Sequence, residues 1–139
     1  METAGLTIVD HGNHLFAKVQ AKTHTLDECL THLKEIRDAC RAAGHDRLLI
    51  ERDIADELNI STCFHLSEES VPLLIGIKTA WVNKYEYNHE TLEFGVTVAN
   101  NRGAYYKLFR TIPDAEKWLG TGARHVPGST DQPGLPNSR

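Results

Sequence analysis

Residues 77–119 read IKTAWVNKYEYNHETLEFGVTVANNRGAYYKLFRTIPDAEKWL, and this stretch decides the fold. Residues 77–82 form an apolar run of strand length. Residues 88–102 carry Leu92, Val96 and Ala99 at helical spacing, with Phe94 and Val98 widening the apolar face, and Gly103 is placed to stop the helix. Residues 105–109 read as a second strand. Thr111 and Pro113 open a short helix that buries Ala115, Trp118 and Leu119. Strands alternating with helices require crossover connections, which make a mainly parallel sheet.

Working towards the N-terminus, the pattern repeats. Ser61 or Thr62 can cap a helix bearing Phe64, Leu66, Val71, Leu73 and Leu74, which Pro72 should end or kink. Before it, residues 53–60 read as a polar, acidic connection, and Leu48-Leu49-Ile50 as a short strand apolar on both faces, as in the middle of a parallel sheet. Thr25 and Glu28 match a capping box for a helix with Leu26, Cys29, Leu30, Leu33, Ile36 and Cys40 on one stripe, closed by Gly44. Residues 6–9 and 15–20 flank Asp10-His11-Gly12-Asn13, the turn of an opening antiparallel hairpin. The fold class is therefore α/β, with a five-stranded mixed, mainly parallel sheet and four helices over residues 1–120. Residues 121–139 are rich in Gly and Pro and almost devoid of apolar side chains, so a disordered tail is expected there.

Composition narrows the function classes. A chain of 139 residues can bury a real core without disulfides. The net charge of -4, with both signs interleaved, provides no electrostatic footprint for nucleic acid or for an anionic membrane surface. No apolar run approaches the roughly 20 residues that span a bilayer, and residues 1–10 lack the pattern of a signal peptide. Three cysteines, Cys29, Cys40 and Cys63, are odd in number and fall in helical segments, as reduced cytosolic thiols do. A soluble cytoplasmic protein is the expectation.

Several stretches resemble the SpoIIAA-like branch of the STAS (sulfate transporter and anti-sigma-factor antagonist) superfamily. They are Ser70-Val71-Pro72, Ala80-Trp81-Val82, Glu93-Phe94, Val98-Ala99-Asn100-Asn101-Arg102-Gly103, Phe109-Arg110, Ala115 and Trp118-Leu119. The resemblance covers roughly residues 6–119. It implies strands in sequential order joined by right-handed crossovers, a soluble bacterial protein without assigned activity, and, in some relatives, lipid transfer. STAS switches are phosphorylated on a serine that starts the helix after the third-strand loop. The matching place here reads Asp56-Glu57-Leu58-Asn59-Ile60-Ser61-Thr62-Cys63. Ser61, and Thr62 second, are the candidate phosphoacceptors. A phosphate there would meet free amides and the positive end of the helix dipole. The family's glycine is missing, and Asp56 and Glu57 would repel the added charge. A plain N-cap is the alternative reading.

No nucleophile elbow, phosphate loop or dinucleotide fingerprint is present. His11 and His14 flank a turn without a third ligand. His89 and Glu93 at i, i+4 form half a metal site, though solvated helix surface accounts for them equally well. No metal, cofactor or catalytic set is assigned. The cysteines read as small core hydrophobes. Asn100 to Gly103 could face an anion, but Gly103 and Arg102 also suit a helix end. Trp81 suits the core, whereas Tyr85 and Tyr87 in a loop suit an interaction surface. Two functions follow. One is a non-enzymatic regulatory module that binds a protein partner through the loop before Ser61. The other is a carrier or sensor of a small apolar, lipid-like ligand, lined by Phe64 to Ile75 and by Trp81 to Tyr87. Homodimerisation through a bare sheet face or edge is also expected.

Overall fold

In the computed structural model of the protein, residues 2, 3, 5–23 and 25–120 are described. The expected tail, 121–139, lies outside the described residues. Six strands form one sheet in sequential order: β1 (Glu2–Thr3), β2 (Leu6–Asp10), β3 (Leu15–Ala21), β4 (Arg47–Ile54), β5 (Lys78–Asn83) and β6 (Tyr105–Phe109). The five strands expected from sequence are all there, and β1 adds a two-residue strand at the β2 edge. Pairing is antiparallel from β1 to β3 and parallel from β3 to β6. Four helices connect or follow the strands: α1 (Leu26–Ala43), α2 (Ile60–Leu74), α3 (His89–Asn100) and α4 (Ile112–Leu119), with a 3-10 turn at Glu86–Asn88.

Strand alternation sorts side chains onto two faces. Leu15, Ala17 and Val19 of β3, with Leu48, Ile50 and Ile54 of β4, pack against Leu33, Ile36, Cys40, Val71, Leu74 and Ala99 from α1, α2 and α3. Leu49, Ala80 and Val82 point the other way, onto Ala115 and Leu119 of α4. Leu48, Leu49 and Ile50 have no exposed surface, and each such burial contributes about 1.5–3 kcal/mol. Both faces of the central strands are covered, which is why their sequence is continuously apolar rather than alternating. Val9, on the outer face of β2, is 44% exposed.

Four details differ from the sequence reading. Strand β4 does not stop at Ile50 but runs to Ile54, carrying Arg52 and Asp53 inside the sheet. Pro72 does not stop α2 at the preceding residue; it sits in the last turn, and the helix closes two residues later at Leu74. Phe94 is 39% exposed instead of joining the apolar face. The helix caps also move. Asn59, not Ser61 or Thr62, caps α2, its side chain accepting from the Thr62 amide at 2.8 Å. At α1 the expected box forms, Thr25 accepting from the Glu28 amide and donating its hydroxyl proton to the Glu28 carboxylate.

One glycine sets how closely two helices approach. A Cβ on Gly95 of α3 would stand 2.5 Å from Ser67 Oγ and 2.7 Å from Cys63 Sγ of α2. The α2–α3 crossing is tight enough there to exclude any side chain on α3. Asn100, at the end of α3, hydrogen-bonds both the amide and the carbonyl of Tyr106, giving edge strand β6 a side-chain substitute for a neighbouring strand.

Candidate functional site

The carboxyl ends of β3, β4 and β5 lie along one edge of the sheet, and the polar residues the core cannot take collect there. Asp53, near the end of β4, is 6% exposed. Its carboxylate accepts from Tyr85 Oη at 2.9 Å and Gln20 Nε2 at 3.0 Å, with Lys84 Nζ at 3.5 Å. Burial pushes this carboxyl up, but the Tyr85 hydroxyl and the Lys84 charge outweigh it and hold it below its ordinary value. The same hydrogen bond raises the Tyr85 phenol. Asp53 therefore stays ionised and anchors Tyr85 over an open cleft lined by Gln20, Ala21, Lys22 and Ala55.

A second group of bonds closes the loop between β4 and α2. Asn88 is 1% exposed. Its amide oxygen accepts from the Leu58 amide at 2.9 Å, and its amide nitrogen donates to the Asp56 carbonyl at 3.0 Å. Tyr87 donates its hydroxyl proton to the Ala55 carbonyl. Asn88 does not cap α3 with its side chain, as its sequence position suggests; it clasps the neighbouring loop. Ile60, just after the clasped loop, is 59% exposed and Tyr87, within the clasp, 58%; Asp56, Glu57 and Ser61 of the same stretch are exposed too.

Ser61 is the second residue of α2 and exposed; Thr62, the third, is half-buried. The first turn of α2 contains no acidic residue, so a group added at Ser61 would meet helix amides rather than carboxylates of its own turn. With Asn59 taking the cap, the Ser61 hydroxyl is left outside the capping geometry.

The remaining site candidates, Phe64 and Trp81, lie away from this edge. Phe64 is half-buried on α2 with the Arg102 guanidinium 5.5 Å from its ring centre. Trp81 points from β5 into the helix-covered face and meets Tyr106 edge-on at 5.6 Å. Beneath α2 it adjoins Arg52, which is 3% exposed. Two interior spaces flank this pair, one of about 40 Å³ towards α3 and one of about 20 Å³ towards α1. Arg52, Trp81 and Leu66 line both. Ser70 donates to the Ser67 carbonyl, so Tyr106 supplies the proton of the 2.8 Å hydroxyl pair with Ser70. Burial raises the Tyr106 phenol to about 12 and the Cys40 thiol to about 11. Cys63 is also pushed up by burial, donates to the Thr91 carbonyl, and is therefore poor as a thiolate nucleophile.

The other motifs resolve into packing. Arg102 donates to the Val98 carbonyl at the end of α3 and pairs with Glu68, and Gly103 has φ 101°. His89 and Glu93 stand 3.6 Å apart. His14 is buried, and burial lowers its pKa. Among the described residues, no group of three or more His, Cys, Asp or Glu side chains is placed to hold a metal ion. No helix among them is long and apolar enough to cross a membrane.

The structure brings Tyr85 and Tyr87 together, their rings 5.7 Å apart, places Ser61 and Thr62 in the first turn of α2, and sets Trp81 apart in the interior. Sequence reading missed Arg52, Asp53 and Asn88. For the first two a signal existed: Leu48, Ile50 and Ile54 share one parity, which extends the strand through Arg52. No family model matches the chain, and no curated protein matches it either.

Proposed function

We propose that the chain is a STAS-like, non-catalytic regulatory module of the cytoplasm that binds a protein partner through the rim at the carboxyl ends of its parallel strands. The observation that carries this reading is the clasp of Asn88 and Tyr87 on residues 55–58. It fixes the segment that leads into α2, where Ile60 and Ser61 are exposed, and it leaves Tyr87 exposed beside that segment. A loop ordered before binding loses little entropy on docking. Phosphorylation of Ser61 would place a dianion in the centre of that rim, at the start of a helix, and so switch the surface. The three free thiols support a reducing compartment. A homodimer belongs to the same proposal, supported by the bare outer face around Val9.

The test uses a photo-crosslinking residue placed at Ile60 or Tyr87, with Lys34 on the exposed face of α1 as control. The reading expects one discrete adduct from both rim positions and none from position 34. It also expects the double substitution Ile60→Asp, Tyr87→Ser to abolish that adduct when the crosslinker is moved to Glu57. Equal labelling from rim and control positions would reject it.

A further inference from the structure

We infer that copies of this chain associate head to tail, the carboxyl end of one sheet docking on the amino end of the next. The inference rests on the rim reading and names the rim's partner as a second copy. Strands β3 to β6 run parallel, so every link that follows one of them lies at one end of the sheet and every link that precedes one lies at the other. The eight residues of β4 set these ends roughly 25 Å apart. Helix α4 brings the chain back to the amino end, where Lys78 Nζ donates to the Trp118 carbonyl at 2.9 Å.

Charges are sorted between the two ends. At the carboxyl end Asp27, Glu28, Glu57, Glu90 and Asp114 are exposed. Of the cations in the same links, Lys84 faces Asp53 and Arg110 pairs with Glu86, which leaves Lys22. At the amino end Arg41, Arg102 and Lys117 are exposed, and Arg47 lies beside Gly120. With Lys78 they outnumber the acids there, which are Asp46, Glu68 against Arg102 and Asp10 against His45. Helix dipoles account for part of this sorting, since Asp27, Glu28 and Glu90 start helices and Arg41 and Lys117 end them. They do not account for Glu57 or Arg47, which lie in no helix.

The most exposed large apolar side chains among the described residues divide the same way. Ile60 (59%) and Tyr87 (58%) stand at the carboxyl end, Tyr105 (56%) and Ile75 (51%) at the amino end. Tyr105 meets Trp118 edge-on at 5.3 Å, with Lys78 Nζ 5.6 Å from its ring centre. Contact between unlike ends sets acids on bases and covers apolar surface on both copies. Contact between like ends sets like charges together, which electrostatic complementarity opposes. The contact is therefore heterologous, one surface meeting a different one. Because the two surfaces lie at opposite ends of one axis, successive copies run on as a filament rather than closing as a two-fold dimer.

The experiment is sedimentation velocity on the full-length chain over a range of concentrations. The unaltered chain should give a series of species that lengthens with concentration. Raising the salt from about 50 to about 500 mM should weaken association roughly tenfold or more, because screening then acts within a few ångströms. Ile60→Lys with Glu90→Lys spoils the carboxyl end, and Ile75→Gln with Arg41→Gln spoils the amino end; all four side chains are exposed, and circular dichroism melts check that each variant is folded. Each variant alone should be monomeric. Mixed in equal amounts they should form a dimer and nothing longer, since one intact end of each kind remains. An unaltered chain that stays monomeric at every concentration overturns the inference; the rim reading is then decided separately, by its crosslink to a different protein. A dimer that persists in both variants also overturns it and places the contact on the outer face around Val9. So does a dimer lost in one variant and kept in the other, the mark of a two-fold contact.

Discussion

Replacing Asn88 by Ala tests the clasp directly. The substitution removes two hydrogen bonds at once, to the Leu58 amide and to the Asp56 carbonyl. Leu58 is 3% exposed, so its amide loses an acceptor that water cannot replace, at about 1–3 kcal/mol. Asp56 is exposed and its carbonyl can turn to solvent, which adds about 0.5 kcal/mol at most. The sum, about 1–3.5 kcal/mol, is a sizeable part of the roughly 5–15 kcal/mol that holds a domain together. For a chain of this size it lowers Tm by about 3–14 °C. Amide hydrogen exchange separates this account from a helix-cap role. A clasp predicts that Leu58 loses its protection while the first turn of α3 keeps the protection it has. A capping role predicts the reverse, with fraying from His89 onward and a cost near 1 kcal/mol. Asn88→Asp should fall between wild type and Ala, since it keeps an acceptor for Leu58 but sets a carboxylate against the Asp56 carbonyl. A Leu58 amide still protected in Asn88→Ala would refute the reasoning, whatever the thermal shift.

Other substitutions probe other parts of the same fold. His14 is buried with its Nε2 unpartnered and its folded pKa lowered by burial. Below about pH 6.5 the unfolded chain therefore binds a proton that the folded chain refuses. Stability should be full above that pH and fall below it, by up to about 1.4 kcal/mol per unit, until the folded pKa is reached; urea unfolding at several pH values should show a flatter profile for His14→Gln. Asp53 acts in a more acid window. Its folded pKa is lowered from 3.8, so its contribution is present above that value and lost as pH falls through the folded pKa, and Tyr85→Phe should shrink that loss. Gly95→Ala gains about 1 kcal/mol of helix propensity but forces Ser67 and Cys63 aside, an overpacking cost of about 1–3 kcal/mol; a lower urea midpoint is expected, and a clearly raised one would contradict the tight α2–α3 crossing. Ser61→Asp should leave Tm unchanged or raise it slightly through the dipole of α2 while altering partner affinity; an unchanged affinity would remove the phosphoswitch.

The elements that sequence revealed best are those whose local signals and tertiary surroundings agree. Thr25 with Glu28, Gly44, and Thr111 with Pro113 mark helix ends by chemistry that acts within a few residues, and each does so in the structure. The hairpin of β2 and β3 is equally local. Asn59 shows the limit of such signals. Asn, Ser and Thr all cap well, and three candidates stand within four residues, so choosing among them needs the path of the incoming chain. Asn88 carries the same ambiguity with a larger consequence, because a cap residue and a clasp residue look identical until the loop at residues 55–58 is seen beside it.

Arg52 and Asp53 explain why the functional parts were the least legible. Polarity argued for ending β4 at Ile50, since a charged pair rarely continues a buried strand. Yet period-two alternation sends the two side chains to opposite faces. Each then meets residues well outside its own stretch of chain: Tyr85 and Gln20 for Asp53, Trp81 and Leu66 for Arg52. No window of sequence contains those partners. Burial of Asp53 is made tolerable by hydroxyl, amide and ammonium donors, and the result is a fixed rim. Arg52 lies beneath α2 beside Trp81 and Leu66. A strand that bends both rules of composition, charged in its interior and buried at its end, does so where the sheet meets something other than its own core. The two departures from the apolar pattern of β4 thus fall on opposite faces of the sheet, Asp53 among the polar groups at the strand ends and Arg52 beneath α2.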